Sequence, residues 1–348
     1  MRIRPTVGWL AAVVLLAVAG CSATSGSTAA PPALPAAVTS TPTTAARTGG
    51  FCTVRHSYPP SAVPPGRVLT RGKLVAGVDP SDATMSHWDA TAQRFEGFNI
   101  DLVLAVAKAI WPDRDPRSMT EFRAVRPGQG AFDALVGDDP VDVIATSLTA
   151  SCRRAQDVVF SNDYLDSGQT ALVRRVGDGP EYAGVDDLAG RRVCAAAGTT
   201  SLETVASYRT RDGGRLVPVQ AENVIDCLVM LRQHQVDAVS TDENILIGFA
   251  RMAPDTALVT APPADNAAFC TYHVASAQQP CTWLTDEPHA FAFAKGEVEL
   301  VAFVNHVLAP AGPAGQRVWQ QAHQRWLPDH PDRGMPSPGT PVTSWPPA

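Results

Sequence analysis

The chain has 348 residues, 45% of them hydrophobic, with 28 Lys and Arg against 34 Asp and Glu for a formal net charge of −6. That length admits one large or two smaller domains, and an acidic balance without a basic run excludes a nucleic-acid footprint. Only Lys73, Lys108 and Lys295 are lysine, so arginine supplies nearly all the positive charge.

The first residues combine Arg2 and Arg4, an apolar run from about Val7 to Gly20, and small residues leading to Cys21. A basic start, a short apolar core and small residues before a cleavage point describe a secretory signal over residues 1–20; a membrane span needs roughly 20 apolar residues. The arrangement Val18-Ala19-Gly20-Cys21 resembles the bacterial lipobox, which implies lipidation of Cys21. Two acyl chains, at about 0.8 kcal/mol per buried methylene, then hold the protein on the extracytoplasmic face of the cell membrane. Residues 21–65 are expected to be the lipidated cysteine plus a disordered tether. As far as about residue 50 they are almost wholly Ser, Thr, Ala, Pro and Gly, with only Arg47 charged. Such a stretch cannot repay its ordering entropy, and as a coil it spans on the order of 30 Å. Residues 329–348 are expected to be a second proline-rich tail.

From Leu69 strand and helix signals alternate. Lys73–Val78 reads as a short apolar strand. Phe98-Asn99 opens a helix whose apolar positions Ile100, Val103, Val106 and Ile110 recur at helical spacing. Strands are predicted at Glu121–Val125, Val141–Thr146 and Thr170–Arg174, with short helices at Ala131–Val136 and Ser151–Asp157. After Val185 the grammar repeats. Strands at Arg192–Ala196, Leu216–Val219 and Asp237–Ser240 alternate with helices at Thr200–Tyr208, Val224–Gln233 and Glu243–Met252. A strand at His289–Ala294 and helices at Val298–Leu308 and Arg317–Trp326 close the series. Such alternation indicates parallel sheets with helices on their faces, and two α/β units in succession imply a cleft between them.

Without Cys21 six cysteines remain, an even number that in an exported chain favours disulfides. Six allow fifteen pairings. Locality favours Cys194–Cys227 and Cys270–Cys281, which leaves Cys52–Cys152 to tie the end of the tether to the first unit. None has metal-ligand spacing, so no metal and no cofactor is expected. No nucleophile elbow, zinc-protease helix, phosphate loop or dinucleotide fingerprint occurs. The eight histidines are scattered and read as surface or structural residues.

Several stretches in order resemble the family-3 extracytoplasmic solute-binding proteins, the receptors of polar amino acid transporters. They are Leu74-Val75-Ala76-Gly77-Val78-Asp79 followed by Gly97-Phe98-Asn99-Ile100-Asp101-Leu102, and Val141-Asp142-Val143-Ile144-Ala145 leading to Thr149-Ala150-Ser151-Cys152-Arg153-Arg154. Phe160-Ser161, Tyr164 and Gly168-Gln169 follow, then Asp187-Leu188-Ala189-Gly190, Gly198-Thr199-Thr200-Ser201, Val236-Asp237-Ala238-Val239 with Asp242, and Ala294-Lys295-Gly296. The paired cysteines near Arg154, Gly198 and Asp237 look most like the actinobacterial glutamate/glutamine-binding lipoproteins of the GlnH type. The resemblance implies an α/β, type II periplasmic-binding-protein-like fold of two lobes with a ligand cleft and a two-strand hinge. Lobe 1 is then 66–170 with 287–328, and lobe 2 is 171–286.

The resemblance also implies site residues. Arg154 matches the arginine that grips a ligand α-carboxylate, where a planar fork donates two parallel bonds; a surface arginine is the plainer reading, and Arg153 suits it better. Thr149 matches a ligand-binding threonine, and Ser147 a position whose carbonyl accepts from the α-ammonium. Thr199 and Thr200 open a helix whose amides can face an anion, or simply cap it. Asp242 matches the acid that pairs with the α-ammonium, or caps the next helix. The customary aromatic platform is missing. In its place stand Asp79, Asp82, Met85, His87 and Trp88, and near Phe132 stand Gly128, Gln129 and Arg126. Asp79 suits a ligand amide, whereas Arg126 or His87 suits an acidic side chain.

The expectation is therefore a monomeric, lipid-anchored, non-catalytic receptor for Glu, Gln, Asp or Asn, serving an ABC permease or a membrane sensor. Two rivals stand beside it. One is an exported dehydratase-like enzyme on the same fold, with Glu243 as the only nominee for its acid or base. The other is a surface lipoprotein that has lost its ligand.

Overall fold

Strands buried on both faces read as unbroken apolar runs, and Leu74–Val78, with all five residues buried, is one of them. The computed structural model describes residues 52–263, 282–331 and 334–345. The predicted signal peptide, the lipidation site Cys21 and the Cys270–Cys281 pair lie outside these residues.

Leu74–Val78 lies between two parallel neighbours, Thr120–Ala124 and Val143–Ala145. Parallel pairing needs a crossover, and the helix Phe98–Ile110 supplies the first. That helix starts after Gly97 at φ 140°, where a Cβ would lie 2.3 Å from the Met85 backbone, so only glycine fits. Ala292–Phe293 pairs antiparallel with both Val143–Ala145 and Val159–Phe160 and completes a five-stranded sheet. The helices Val298–Leu308 and Gly315–Trp326 pack with Phe98–Ile110 on one face around Phe98, Leu300 and Trp319.

A second sheet has seven strands among the described residues. Its order is Val217–Ala221, Arg192–Ala196, Ala238–Asp242, Gly168–Val176 and Thr256–Leu258; Gly179–Pro180 and Thr285–Asp286 also pair with Gly168–Val176. The helices Thr200–Ser207, Val224–Arg232 and Glu243–Met252 supply its crossovers, and a disulfide joins Cys194 on a central strand to Cys227 on a covering helix. The chain leaves the first sheet after Phe160, enters the second at Gly168, and returns between Asp286 and Ala292. Two crossovers, 161–167 and 287–291, therefore link the lobes. They are hydrogen-bonded to each other, the Glu287 amide donating to the Ser167 carbonyl at 2.8 Å and the His289 amide to Leu165 at 2.9 Å.

The ends depart from expectation. Of the predicted tether, residues 52–65 are ordered. His56–Ser57 pairs in parallel with Thr340–Pro341, Ser57 Oγ donates to the Phe160 carbonyl at 2.7 Å, and Cys52 is bonded to Cys152. The predicted tail is docked through Trp345, whose indole N–H lies 2.9 Å and 2.7 Å from the carbonyls of Ala155 and Val158 and whose ring lies 6.3 Å from that of Phe160. Low-complexity composition predicts disorder only where it is uninterrupted. Val54, Tyr58 and Trp345 supply the apolar anchors that proline content hides. The helix expected over Ser151–Asp157 is a single 3₁₀ turn, Arg154–Gln156, and the strand expected over His289–Ala294 shrinks to Ala292–Phe293 because the rest of it is crossover.

Candidate functional site

The lobes meet where the ends of their parallel strands face each other, the usual place for a ligand in open α/β sheets. Contacts across the gap show it closed. Arg153 pairs with Glu203 at 2.9 Å and Arg126 with Glu222 at 3.3 Å, and Thr84 Oγ1 lies 3.4 Å from the Asn244 carbonyl. Gly128 and Gly198, both at positive φ, touch so closely that a Cβ on Gly128 would lie 2.6 Å from the Gly198 carbonyl oxygen.

Arg154, on the 3₁₀ turn of lobe 1, is only 4% exposed. Its Nη1 donates to the Thr149 carbonyl at 3.0 Å, and its guanidinium carbon sits 6.0 Å from the centre of the Phe132 ring. Burial pulls its pKa down, while Glu287 and Asp242 push it back up. Asp242, from lobe 2, ends the strand Ala238–Asp242 and precedes the helix Glu243–Met252, but its side chain makes no capping bond. The plain capping reading therefore fails. Its Oδ2 lies 2.9 Å from His289 Nε2, and its Oδ1 is buried without a partner. A buried acceptor left unpaired costs roughly 1–3 kcal/mol, so Asp242 is poised for a donor.

The remaining predicted residues divide into two groups. Ser147, at φ 54°, donates through Oγ to Asp82 Oδ2 at 2.9 Å. Thr200 Oγ1 donates to Glu287 Oε2 at 3.2 Å, and the Thr149 side chain also bonds to Glu287. Asp79, raised in pKa by burial, accepts from the Ser81 amide at 2.9 Å and from its hydroxyl at 2.7 Å. Thr199 accepts from the Leu202 amide at 3.3 Å, so its side chain serves as a helix cap. Two residues stand apart. Arg126 is 80% exposed at its salt bridge to Glu222, and His87 lies on the hairpin His87–Asp89/Arg94–Glu96 with its ring 5.6 Å from Trp326. Neither brings positive charge to the buried acids. Glu243 faces His330 at 3.5 Å.

Sequence reasoning missed Glu287 and His289. Both are wholly buried on the second crossover, where no periodic pattern marks a residue. Glu287 also accepts from Thr285 Oγ1 at 2.6 Å. Thr149, Thr200 and Arg154, expected to hold a ligand carboxylate, are thus gathered around a carboxylate of the chain itself. Among the described residues no group of side chains is suited to hold a metal, and no helix is long and apolar enough to cross a membrane.

Burial, with Asp79 nearby, pushes the pKa of Asp82 from 3.8 to about 7, and burial beside Asp242 pushes Glu287 upward as well. An acid whose pKa rises on folding binds its proton more tightly in the folded state. Its contribution to stability is whole below the unfolded value and is lost as pH climbs through the folded one. For Asp82 the window is pH 4 to 7, and the change is on the order of 4 kcal/mol. Denaturant titrations at pH 4 and pH 8 are expected to show this loss, and Asp82→Asn should flatten the slope. An unchanged slope in the variant would place the titration elsewhere.

Residues 74–329 match the sequence profile of the bacterial extracellular solute-binding proteins, family 3. The ABC transporter glutamine-binding protein GlnH of Bacillus subtilis is 25% identical over 260 residues, 74% of this chain and 82% of that protein. The glutamate-binding protein GluB of Corynebacterium glutamicum is 29% identical over 157 residues, 44% of this chain and 50% of that protein. Among solved structures, the cysteine-binding protein of Campylobacter jejuni superimposes with a TM-score of 0.60 at 18% identity, covering 76% of this chain and 92% of that one. Holo ArgBP of T. maritima gives 0.53 at 24% identity, covering 69% and 91%. These structures establish the type II periplasmic-binding-protein fold.

Proposed function

Because the chain belongs to the bacterial extracellular solute-binding proteins of family 3, we propose that it is a receptor for a polar amino acid, held to the membrane by a lipid on Cys21. One observation carries the reading: Arg154 from one lobe and Asp242 from the other are buried within electrostatic reach of each other, and Asp242 Oδ1 has no partner. A guanidinium and a carboxylate facing one gap match the two charges of an amino acid zwitterion.

In this reading Arg154 takes the α-carboxylate with Thr149 and the loop Thr199-Thr200, and Asp242 takes the α-ammonium with Ser147. The ligand comes from Glu, Gln, Asp and Asn. Within that set the amides are favoured at neutral pH, because Asp82, with Asp79 beside it, accepts from Ser147, whereas Arg126 is tied to Glu222 and His87 packs on Trp326. The receptor acts as a monomer. Closure of its lobes delivers the ligand to an ABC permease or presents the bound state to a membrane sensor.

A thermal-shift screen of the mature chain with the twenty amino acids tests the reading. A ligand at a hundred times its dissociation constant adds about 2.7 kcal/mol to stability, which appears as a rise of several degrees in Tm. Glutamine or asparagine is expected to give the largest shift. If all twenty leave the transition in place, the chain is not an amino acid receptor.

A further inference from the structure

Residues 52–57 form a strap that joins the turn bearing Arg154 to the hinge. At its start the Cys52–Cys152 bridge lies two residues before Arg154, and the Val54 amide donates to the Ala150 carbonyl at 2.7 Å. Next comes Arg55. Its Nη1 lies 2.9 Å from Asp163 Oδ2 and 3.1 Å from Asp166 Oδ1, and its Nη2 lies 3.0 Å and 2.8 Å from the two oxygens of Asp286.

Asp163 and Asp166 belong to the first crossover, and Asp286 ends the strand Thr285–Asp286 immediately before the second. One guanidinium therefore bridges both hinge segments, its Nη2 shared between the two oxygens of Asp286 while Nη1 spans Asp163 and Asp166. Without it, these three neighbouring carboxylates would repel one another. Hinge closure is absorbed by a few residues whose torsions change, and the crossovers are the only described segments that carry the chain between the sheets.

We propose that Arg55 is a hinge-positioning residue: by drawing the two crossovers together it favours the closed cleft and tightens ligand binding, without touching the ligand. This rests on the reading of the cleft as a closing amino acid site.

The test uses the mature full chain with Arg55→Ala and Arg55→Lys. Spin labels on cysteines introduced at the exposed positions Val136 and Val229, one on each lobe, report the distance between lobes without ligand. Calorimetry with L-glutamine reports affinity. Arg55→Ala is expected to shift the distance distribution toward longer values and to raise the dissociation constant at least tenfold. Arg55→Lys should restore part of the short-distance population. A distance distribution like that of the wild type, with affinity unchanged within twofold, would reduce Arg55 to a purely structural residue whatever its effect on Tm. If Arg55→Ala does not fold, Asp166→Asn carries the test in milder form, with a smaller shift in the same direction. Should wild type bind no amino acid, the functional reading fails, while the distances still decide the role of Arg55.

Discussion

Replacing Arg154 by alanine is expected to weaken ligand binding by about 30-fold to several thousand-fold. Truncating one partner of a buried, hydrogen-bonded charge pair costs about 2–5 kcal/mol, and each 1.4 kcal/mol is tenfold in affinity. The loss falls on binding because Arg154 is committed to few groups of the fold: its Nη1 takes one carbonyl, that of Thr149, and the remainder of its charge faces Glu287 and Asp242. Lysine should recover little, since a point charge cannot replace two parallel donors. Asp242→Asn should also weaken binding, most for ligands with a free α-ammonium. Isothermal titration with the amino acid chosen by the thermal screen measures all three variants. A folded Arg154→Ala protein that binds within threefold of wild type would sink the assignment of the site.

Opening the Cys52–Cys152 bridge should produce the largest loss of stability of any change considered. Its sequence separation of 100 corresponds to about 4.7 kcal/mol of lost loop-closure entropy in the unfolded chain, against about 3.7 kcal/mol for Cys194–Cys227, with separation 33. For a protein of this size the larger figure corresponds to a fall in Tm on the order of 10 °C. The double variant Cys52→Ser/Cys152→Ser should also bind more weakly, because the bridge braces the turn that bears Arg154. Scanning calorimetry of the variant settles the first point. A transition at the wild-type temperature would mean that the strap is held without the bridge, by the Arg55 ion pairs, the Val54 and Ser57 bonds and the pairing with Thr340–Pro341.

Much of this architecture can be read from local pattern. The unbroken apolar run of Leu74–Val78, the helical spacing of Ile100, Val103, Val106 and Ile110, and the repeat of strand and helix after Val185 each have one stable solution, a buried parallel sheet with covering helices. Arg154 and Asp242 can be nominated from sequence because they stand in stretches with a fixed relation to those elements. Glu287 and His289 are not. They sit on a crossover, where backbone direction is decided by two lobes at once and no periodicity survives. Asp242 illustrates a second limit. An acid before a helix is an ordinary cap in sequence, and only its unbonded geometry at the helix start separates the two roles. Arg126 and His87 neighbour site residues in sequence, yet the fold gives Arg126 to Glu222 and packs His87 against Trp326. Composition misled at the ends, where a single tryptophan, Trp345, outweighs many prolines.

The broken course of lobe 1 sets an order of assembly. By the time synthesis reaches Asp286, every strand of the seven-stranded sheet has been made, so that lobe can form on its own. The other lobe still lacks Ala292–Phe293, which stands between Val143–Ala145 and Val159–Phe160, together with the two helices that cover its apolar face. Contacts so distant in sequence form late and slowly, and the half-built sheet exposes strand edges in the interval. A chain truncated before Ala292 should therefore yield one folded lobe attached to an aggregation-prone remainder.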